Sequence, residues 1–428
     1  MEIKISPSTI NGDLYAPASK SVMQRAYAAA LIRNGKTIIH NPGKSGDDKA
    51  ALSIIKELGA QVESNDDEVI VVSKGIYPTG NHINCNESGV SIRMFTPIAA
   101  VSGQEINITG TGSLLSRPIG FFNTVFPTLS VEVSTNSGFL PINVKGPLVP
   151  RSTTVDGSQS SQFITGLLMA YSAAEARGVT INVTNLQSKP YIDLTLGIME
   201  AFGLNTPVND QYNSFYFPSS PNGKAIEKDL HYAIEGDWSG ASFLLVAGAI
   251  SGNVTVRGLN IDSFQGDKAI LQVLKESGAL VDVDKGVISI RKNALQPFQF
   301  DATDSPDLFP PLVALASRCD GRSVIKGVER LLHKESNRAL TLKEEFGKMG
   351  VEVQLEENKM FINGGGSIRS ATVDSHNDHR IAMACAITAI NAGGTISINN
   401  AEAINKSYPD FWNDLQKIGG VVTLSHNS

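Results

Sequence analysis

Asn34-Gly35-Lys36-Thr37-Ile38-Ile39 is the stretch that decides the fold, because its pattern returns five more times along the chain. A small or polar residue, a glycine, two variable positions and β-branched residues recur as SGQEINI, RGVTINV, SGNVTV, DGRSVI and AGGTISI, with glycines at Gly103, Gly178, Gly252, Gly321 and Gly393. Counted from Gly35, the steps are 68, 75, 74, 69 and 72 residues. A period of about 72 fits almost six times into 428 residues and is too long for a solenoid. An apolar segment precedes each phrase: SKSVMQRAYAAALI, ESGVSIRMFTPIAAV, SQFITGLLMAYSAA, WSGASFLLVAGAI, SPDLFPPLVALAS and HNDHRIAMACAITAI. These are apolar nearly all round, which predicts buried helices. After the phrase comes an amphipathic segment such as DDKAALSIIKELG. Five of the six end at a glycine suited to a left-handed cap: Gly59, Gly203, Gly278, Gly350 and Gly419. Short alternating strands such as VEVSTNS close the unit. The unit reads helix, strand, helix, strand, strand, an α/β module used six times. Modules this short cannot each bury a core, so three and three is the economical grouping, with a linker expected in PNGKAIEKDLHY, residues 221–232.

Composition narrows the function classes. Charged residues are 18% of the chain against roughly 25% in an average domain, and 39 glycines make it turn-rich rather than disordered. With 36 Lys and Arg against 42 Asp and Glu, the net charge of −6 gives no general attraction to nucleic acid, so any anion site must be local. Cys85, Cys319 and Cys385 lie far apart without a CxxC spacing, which argues against a zinc knuckle or a disulfide framework. The opening MEIKISPSTING lacks an apolar signal core, and the stretch FLLVAGAI is far short of a membrane span. A soluble, cytoplasmic protein is expected.

The chemistry is read at the starts of the six apolar helices: Ser19-Lys20-Ser21, Glu87-Ser88-Gly89, Ser160-Ser161-Gln162, Asp237-Trp238-Ser239, Ser305-Pro306-Asp307 and Asn377-Asp378-His379-Arg380. A helix N-terminus presents unpaired N–H groups and a partial positive charge, so it suits phosphate or carboxylate. Ser, Asp and Asn are also ordinary caps, and for Trp238 and Ser239 the two readings stand side by side. Capping does not call for cations, which the helix dipole disfavours in a first turn. Yet Lys20, Arg25, Arg93 and Arg380 stand there or one turn on. Any one of them could serve a protein salt bridge, whereas their recurrence points to a polyanionic substrate. SRPIG adds Arg117, NKSYPD adds Lys406, and HKESNR is expected to set Lys334 and Arg338 on one helix face with Glu335 between. KESNR in unit five follows the Gly phrase where units one, three and four carry SGDD, SKPYID and FQGD. Asp307 and Glu335 could act as base and acid if they converge with these cations, which would keep a carboxylate ionised. His379 reads as structural before it reads as catalytic. No GxSxG, HExxH or Walker motif is present.

SKSVMQR, SRPIG, SSQFITGLLMA, SKPYID, EGDWSGASF, SPD, KESNR, NDHRIAMA and NKSYPD follow one another between residues 17 and 412. In this order they resemble the 5-enolpyruvylshikimate-3-phosphate synthases, enolpyruvyl transferases of the shikimate pathway. The resemblance implies a two-domain inside-out α/β barrel of six βαβαββ repeats, three per domain, with the active site in the cleft between them. It implies a domain of residues 17–232 on the shikimate 3-phosphate side and one of residues 1–16 plus 233–428 on the phosphoenolpyruvate side. It also implies transfer of enolpyruvyl from phosphoenolpyruvate to the 5-hydroxyl of shikimate 3-phosphate, with release of phosphate and without cofactor or metal, by a monomer. Carried over by motif, Lys20, Ser21, Arg25, Ser160, Ser161, Gln162, Ser188, Tyr191, Asp307 and Lys334 would hold shikimate 3-phosphate. Lys20, Gly89, Arg117, Gln162, Arg338, Arg380 and Lys406 would hold phosphoenolpyruvate. Asp307 would accept the hydroxyl proton, and Glu335, with Lys20, would handle the proton at the enol carbon.

Some positions depart from the family pattern. Glu87 and Val90 stand where NAGT is common, Ala18 replaces a glycine, Arg330 replaces an asparagine and Asn337 an aspartate. A carboxylate at Glu87 would repel phosphoenolpyruvate unless Arg93 or Arg117 pairs with it. The rival reading is the sister enzyme that transfers enolpyruvyl to UDP-N-acetylglucosamine. That enzyme carries a loop cysteine in its second unit, whereas residues 86 to 318 here contain none. An inert scaffold is disfavoured by Lys20, Asp307, Glu335 and Arg380.

Overall fold

The computed structural model describes residues 1–223 and 229–425; residues 224–228 of the expected linker lie outside the described residues. The chain forms two compact bodies, Met1–Ser19 with Glu235–Ser428 and Lys20–Ile234. In the second of these, the apolar segments form the helices Lys20–Ile32, Gly89–Ala99 and Ser161–Ala173, which pack on one another. In the first, Trp238–Ser251, Phe309–Ala316 and His379–Ala389 do the same. Every residue of Gly89–Ala99, Trp238–Ser251 and His379–Ala389 is buried, as apolarity on all sides requires. Gly166 permits one of these close approaches, since a Cβ there would stand 2.5 Å from the Arg93 carbonyl oxygen.

The amphipathic segments form Gly46–Glu57, Pro190–Ala201, Ile270–Glu276, Arg338–Lys348 and Phe411–Lys417, and the five glycines that follow them all adopt positive φ. The second unit differs. Its helix breaks into the short turns Gly112–Ser116, Phe121–Val125 and Phe126–Leu129, and Ser130 takes the left-handed cap at φ 63. Pro118 is the reason: it keeps Arg117 extended, at φ −89 and ψ 130, and a helix cannot run through that position.

Within each body the buried helices lie inside and the sheets outside, an inside-out α/β arrangement, and the described residues form six four-stranded sheets of one pattern. In the second unit His82–Asn84 runs parallel to Glu105–Thr109, which pairs antiparallel with Phe139–Lys145, and Glu132–Asn136 forms the far edge. Two exchanges make the pattern close. Asn11–Tyr15 immediately precedes the first buried helix, yet pairs with Asn253–Arg257 of unit four. Leu230–Ala233 fills the corresponding place beside Gly35–His40. Glu2–Ser6 inserts between Ile396–Asn399 and Val421–Ser425, supplying the strand that unit six lacks. Residues 1–16 therefore supply two strands to two sheets. Ile3 and Ile5 are fully buried, each worth about 1.5–3 kcal/mol of transfer free energy. Among the described residues no helix is long and apolar enough to cross a membrane.

Candidate active site

In the body Lys20–Ile234 the expected residues gather at the N-terminal ends of the buried helices. Arg25 is buried, with Nε donating to Thr195 Oγ1 at 2.9 Å, Nη1 to the Ser21 carbonyl at 2.8 Å and Nη2 to Thr165 Oγ1 at 3.5 Å. Its guanidinium stands 5.9 Å over the Tyr191 ring. No carboxylate pairs with it among the described residues, and burial pushes its pKa down to about 10 against the opposing pull of Tyr191. A desolvated cation with only neutral partners is a site made for an anion. Ser188, left-handed at φ 56, accepts the Tyr191 N–H on its carbonyl and so starts the helix that brings Thr195 to Arg25.

Ser160 and Ser88 accept the N–H groups of Gln162 and Ser91, so both are caps, and Ser161 is buried beside the first of them. Gln162 Oε1 accepts from Arg93 Nη1 at 3.0 Å. A Cβ at Gly89 would lie 2.6 Å from Arg117 Nη1 and 2.9 Å from Arg93 Nη1, so glycine there admits two guanidinium groups over one helix start. Glu87 accepts from the Ser113 N–H at 3.1 Å and from its hydroxyl at 3.3 Å, while Arg117 Nη2 donates to the same hydroxyl at 3.4 Å. The extra carboxylate thus caps the turn that presents Arg117. Lys20 Nζ pairs with Asp47 at 2.8 Å. Beside it, burial raises the Asp48 pKa to about 7, with the Ser45 hydroxyl and Lys20 opposing.

In the other body, carboxylates and cations interleave. Asp307 Oδ1 receives Lys334 Nζ at 3.1 Å and Arg338 Nη1 at 2.7 Å, and its Oδ2 receives Arg380 Nη2 at 3.2 Å. Arg338 also donates to Asp378 through Nε at 2.8 Å and pairs with Glu335. Burial raises the Asp307 pKa, but Arg380, Lys334 and Arg338 outweigh it and hold the carboxyl well below its usual value. Burial depresses Lys334, only partly offset by Asp307. One expectation fails: Lys334 and Arg338 do not share a helix face, because the helix begins at Arg338. Asn337 caps it through Oδ1 and the Leu340 N–H, which leaves Lys334 and Glu335 in the preceding turn. The two cations meet on Asp307 instead. Lys406 Nζ donates to the Asn377 carbonyl at 2.6 Å. His379 is buried within its helix. Asp237 caps through the Ser239 N–H, and Ser239 donates to Asp267, whose pKa burial and the nearby Asp307 raise to about 6.

The sequence model described as EPSP synthase (3-phosphoshikimate 1-carboxyvinyltransferase) matches residues 5–415. The chain belongs to the EPSP synthase family. The 3-phosphoshikimate 1-carboxyvinyltransferase of Clostridium novyi is 36% identical over 98% of both chains. That of Methanocorpusculum labreanum is 33% identical over 98% of this chain and 99% of its own. The solved EPSP synthase of Acinetobacter baumannii shares the fold with a TM-score of 0.81 at 23% identity, covering 99% of this chain and 100% of that one. Motif reading missed three residues that hold the cations, Asp47, Thr165 and Thr195, and placed Asp378 at a helix start without foreseeing its pairing with Arg338. Asp47 had a signal, since it lies in the SGDD that recurs as FQGD around Asp267. The two threonines had none.

Proposed function

We infer that this chain transfers the enolpyruvyl group of phosphoenolpyruvate to the 5-hydroxyl of shikimate 3-phosphate and releases phosphate, as a monomer in the cytoplasm. The observation that carries the reading is Asp307, ionised yet surrounded by Lys334, Arg338 and Arg380, within an EPSP synthase chain. Arg25, Ser21, Ser160, Ser161, Gln162, Ser188, Tyr191 and Lys334 bind shikimate 3-phosphate. Gly89, Arg117, Gln162, Arg338, Arg380 and Lys406 bind phosphoenolpyruvate, and Lys20 touches both. As the hydroxyl oxygen attacks C2 of phosphoenolpyruvate, its proton passes to Asp307, and Glu335 with Lys20 delivers a proton to C3, giving a tetrahedral ketal. Return of a C3 proton to Glu335 then expels phosphate and restores the double bond. The cations orient two mutually repelling anions and stabilise the charge on the leaving phosphate, so the acid and base supply only proton transfers.

Phosphate release is measured on mixing the protein with phosphoenolpyruvate and either shikimate 3-phosphate or UDP-N-acetylglucosamine. Release with the first acceptor alone is expected and should survive a chelator. Release only with the nucleotide sugar, or none at all, overturns the reading.

A further inference from the structure

Glu345 lies two turns beyond Arg338 on the helix Arg338–Lys348 and has no exposure to solvent. Its carboxylate accepts from the Asp374 backbone N–H at 2.9 Å, and its Oε1 lies 2.7 Å from His376 Nε2. Lys348 Nζ meets both oxygens at 2.8 and 2.9 Å. Glu344, Glu345 and His376 bring their donor atoms within 4.8 Å of one another, but the Lys348 ammonium already supplies a cation there.

What Glu345 grips is a turn in a costly conformation. His376 and Asn377 are consecutive non-glycine residues at φ 51 and 56, a geometry that persists where the surroundings hold it. The same few residues carry three parts of the cation cluster. The Asn377 carbonyl receives Lys406, the Asp378 carboxylate receives Arg338, and Arg380 follows in the first turn of the next helix. Glu345 therefore joins the helix that begins at Arg338 to the turn that receives Arg338.

We propose that Glu345 is a positioning residue, fastening residues 374–376 to the Arg338 helix and so fixing the aim of Arg338, Lys406 and Arg380 at phosphoenolpyruvate. This rests on the function proposed above. Steady-state kinetics on the full chain test it. Glu345→Gln keeps the shape and one acceptor oxygen but loses the charge that binds His376 and Lys348. The expected result is a KM for phosphoenolpyruvate raised about tenfold, with the KM for shikimate 3-phosphate unchanged. Glu344→Gln, which removes another Lys348 partner without touching the turn, should match the wild type. Should Glu345→Gln fail to fold, His376→Ala, at an exposed residue, should shift the same KM about threefold, as for one lost hydrogen bond. Wild-type protein that releases no phosphate overturns both readings. Active wild type with an unchanged phosphoenolpyruvate KM in the folded variant, or with both KM values raised alike and a lowered Tm, overturns this one alone.

Discussion

Arg25 and Arg338 are both guanidinium groups only 1% exposed, one in each body, and their surroundings are opposite. Arg25 meets two threonine hydroxyls, a carbonyl and an aromatic ring, and burial lowers its pKa to about 10. Around Arg338 stand Asp307, Glu335 and Asp378; burial works against its charge, but these carboxylates hold its pKa above the usual value. A buried charge without a counter-charge costs stability in the empty protein and recovers it only when an anion binds, whereas a neutralised one is part of the folded framework. The contrast separates a cation without a counter-charge among the described residues from one that carboxylates already hold in place.

The comparison breaks most sharply at Asp307. Asp307→Asn keeps the shape and loses the proton acceptor, so kcat should fall about 10³-fold with much smaller changes in either KM. Matching losses in KM would make Asp307 a binding residue. Next comes the Arg338 framework: Arg338→Met takes a counter-charge from Asp307, Glu335 and Asp378 and should destabilise the fold by about 3 kcal/mol, read by urea unfolding. Arg25→Met should do the reverse on stability, leaving the unfolding midpoint unchanged or raised, while the KM for shikimate 3-phosphate rises about 30-fold for the loss of charge-assisted hydrogen bonds. A midpoint lowered as far as that of Arg338→Met would erase the distinction.

The last test is of pH, through two carboxyls whose pKa values shift in opposite directions. The Asp48 pKa is raised from 3.8 to about 7, so the folded chain holds that proton where the unfolded chain has lost it. Its contribution to stability is complete below the unfolded value and is lost as pH rises toward about 7. Asp307, depressed well below 3.8, behaves conversely: its contribution is present above the unfolded value and is lost as pH falls through the folded one. Asp48→Asn imitates the protonated form. Its stability relative to wild type should therefore improve by about 2–3 kcal/mol between pH 5 and pH 8, measured by thermal unfolding across that range. A difference independent of pH would place the Asp48 proton elsewhere.

Much of the fold was legible because its signals are local. The Gly35 phrase and its five returns set the period, all-round apolarity marked the buried helices, and the five cap glycines do adopt positive φ. The site was legible as a list of helix starts and cations. Lys334 shows where that reading stopped, since a four-residue spacing suggested a shared helix face and a capping asparagine overruled it.

By itself, then, the sequence determined six α/β modules, the helices that must be buried and the residues that could meet an anion, since periodicity and polarity act over a few residues. Tertiary structure alone decided that Glu2–Ser6 completes the sixth sheet and that Asn11–Tyr15 joins the fourth. It also decided which cations are neutralised. Arg25 finds its hydroxyl 170 residues away at Thr195, and Asp307 finds Arg380 73 residues away. Such pairings depend on which faces the packed helices bring together, and no spacing within one chain encodes that.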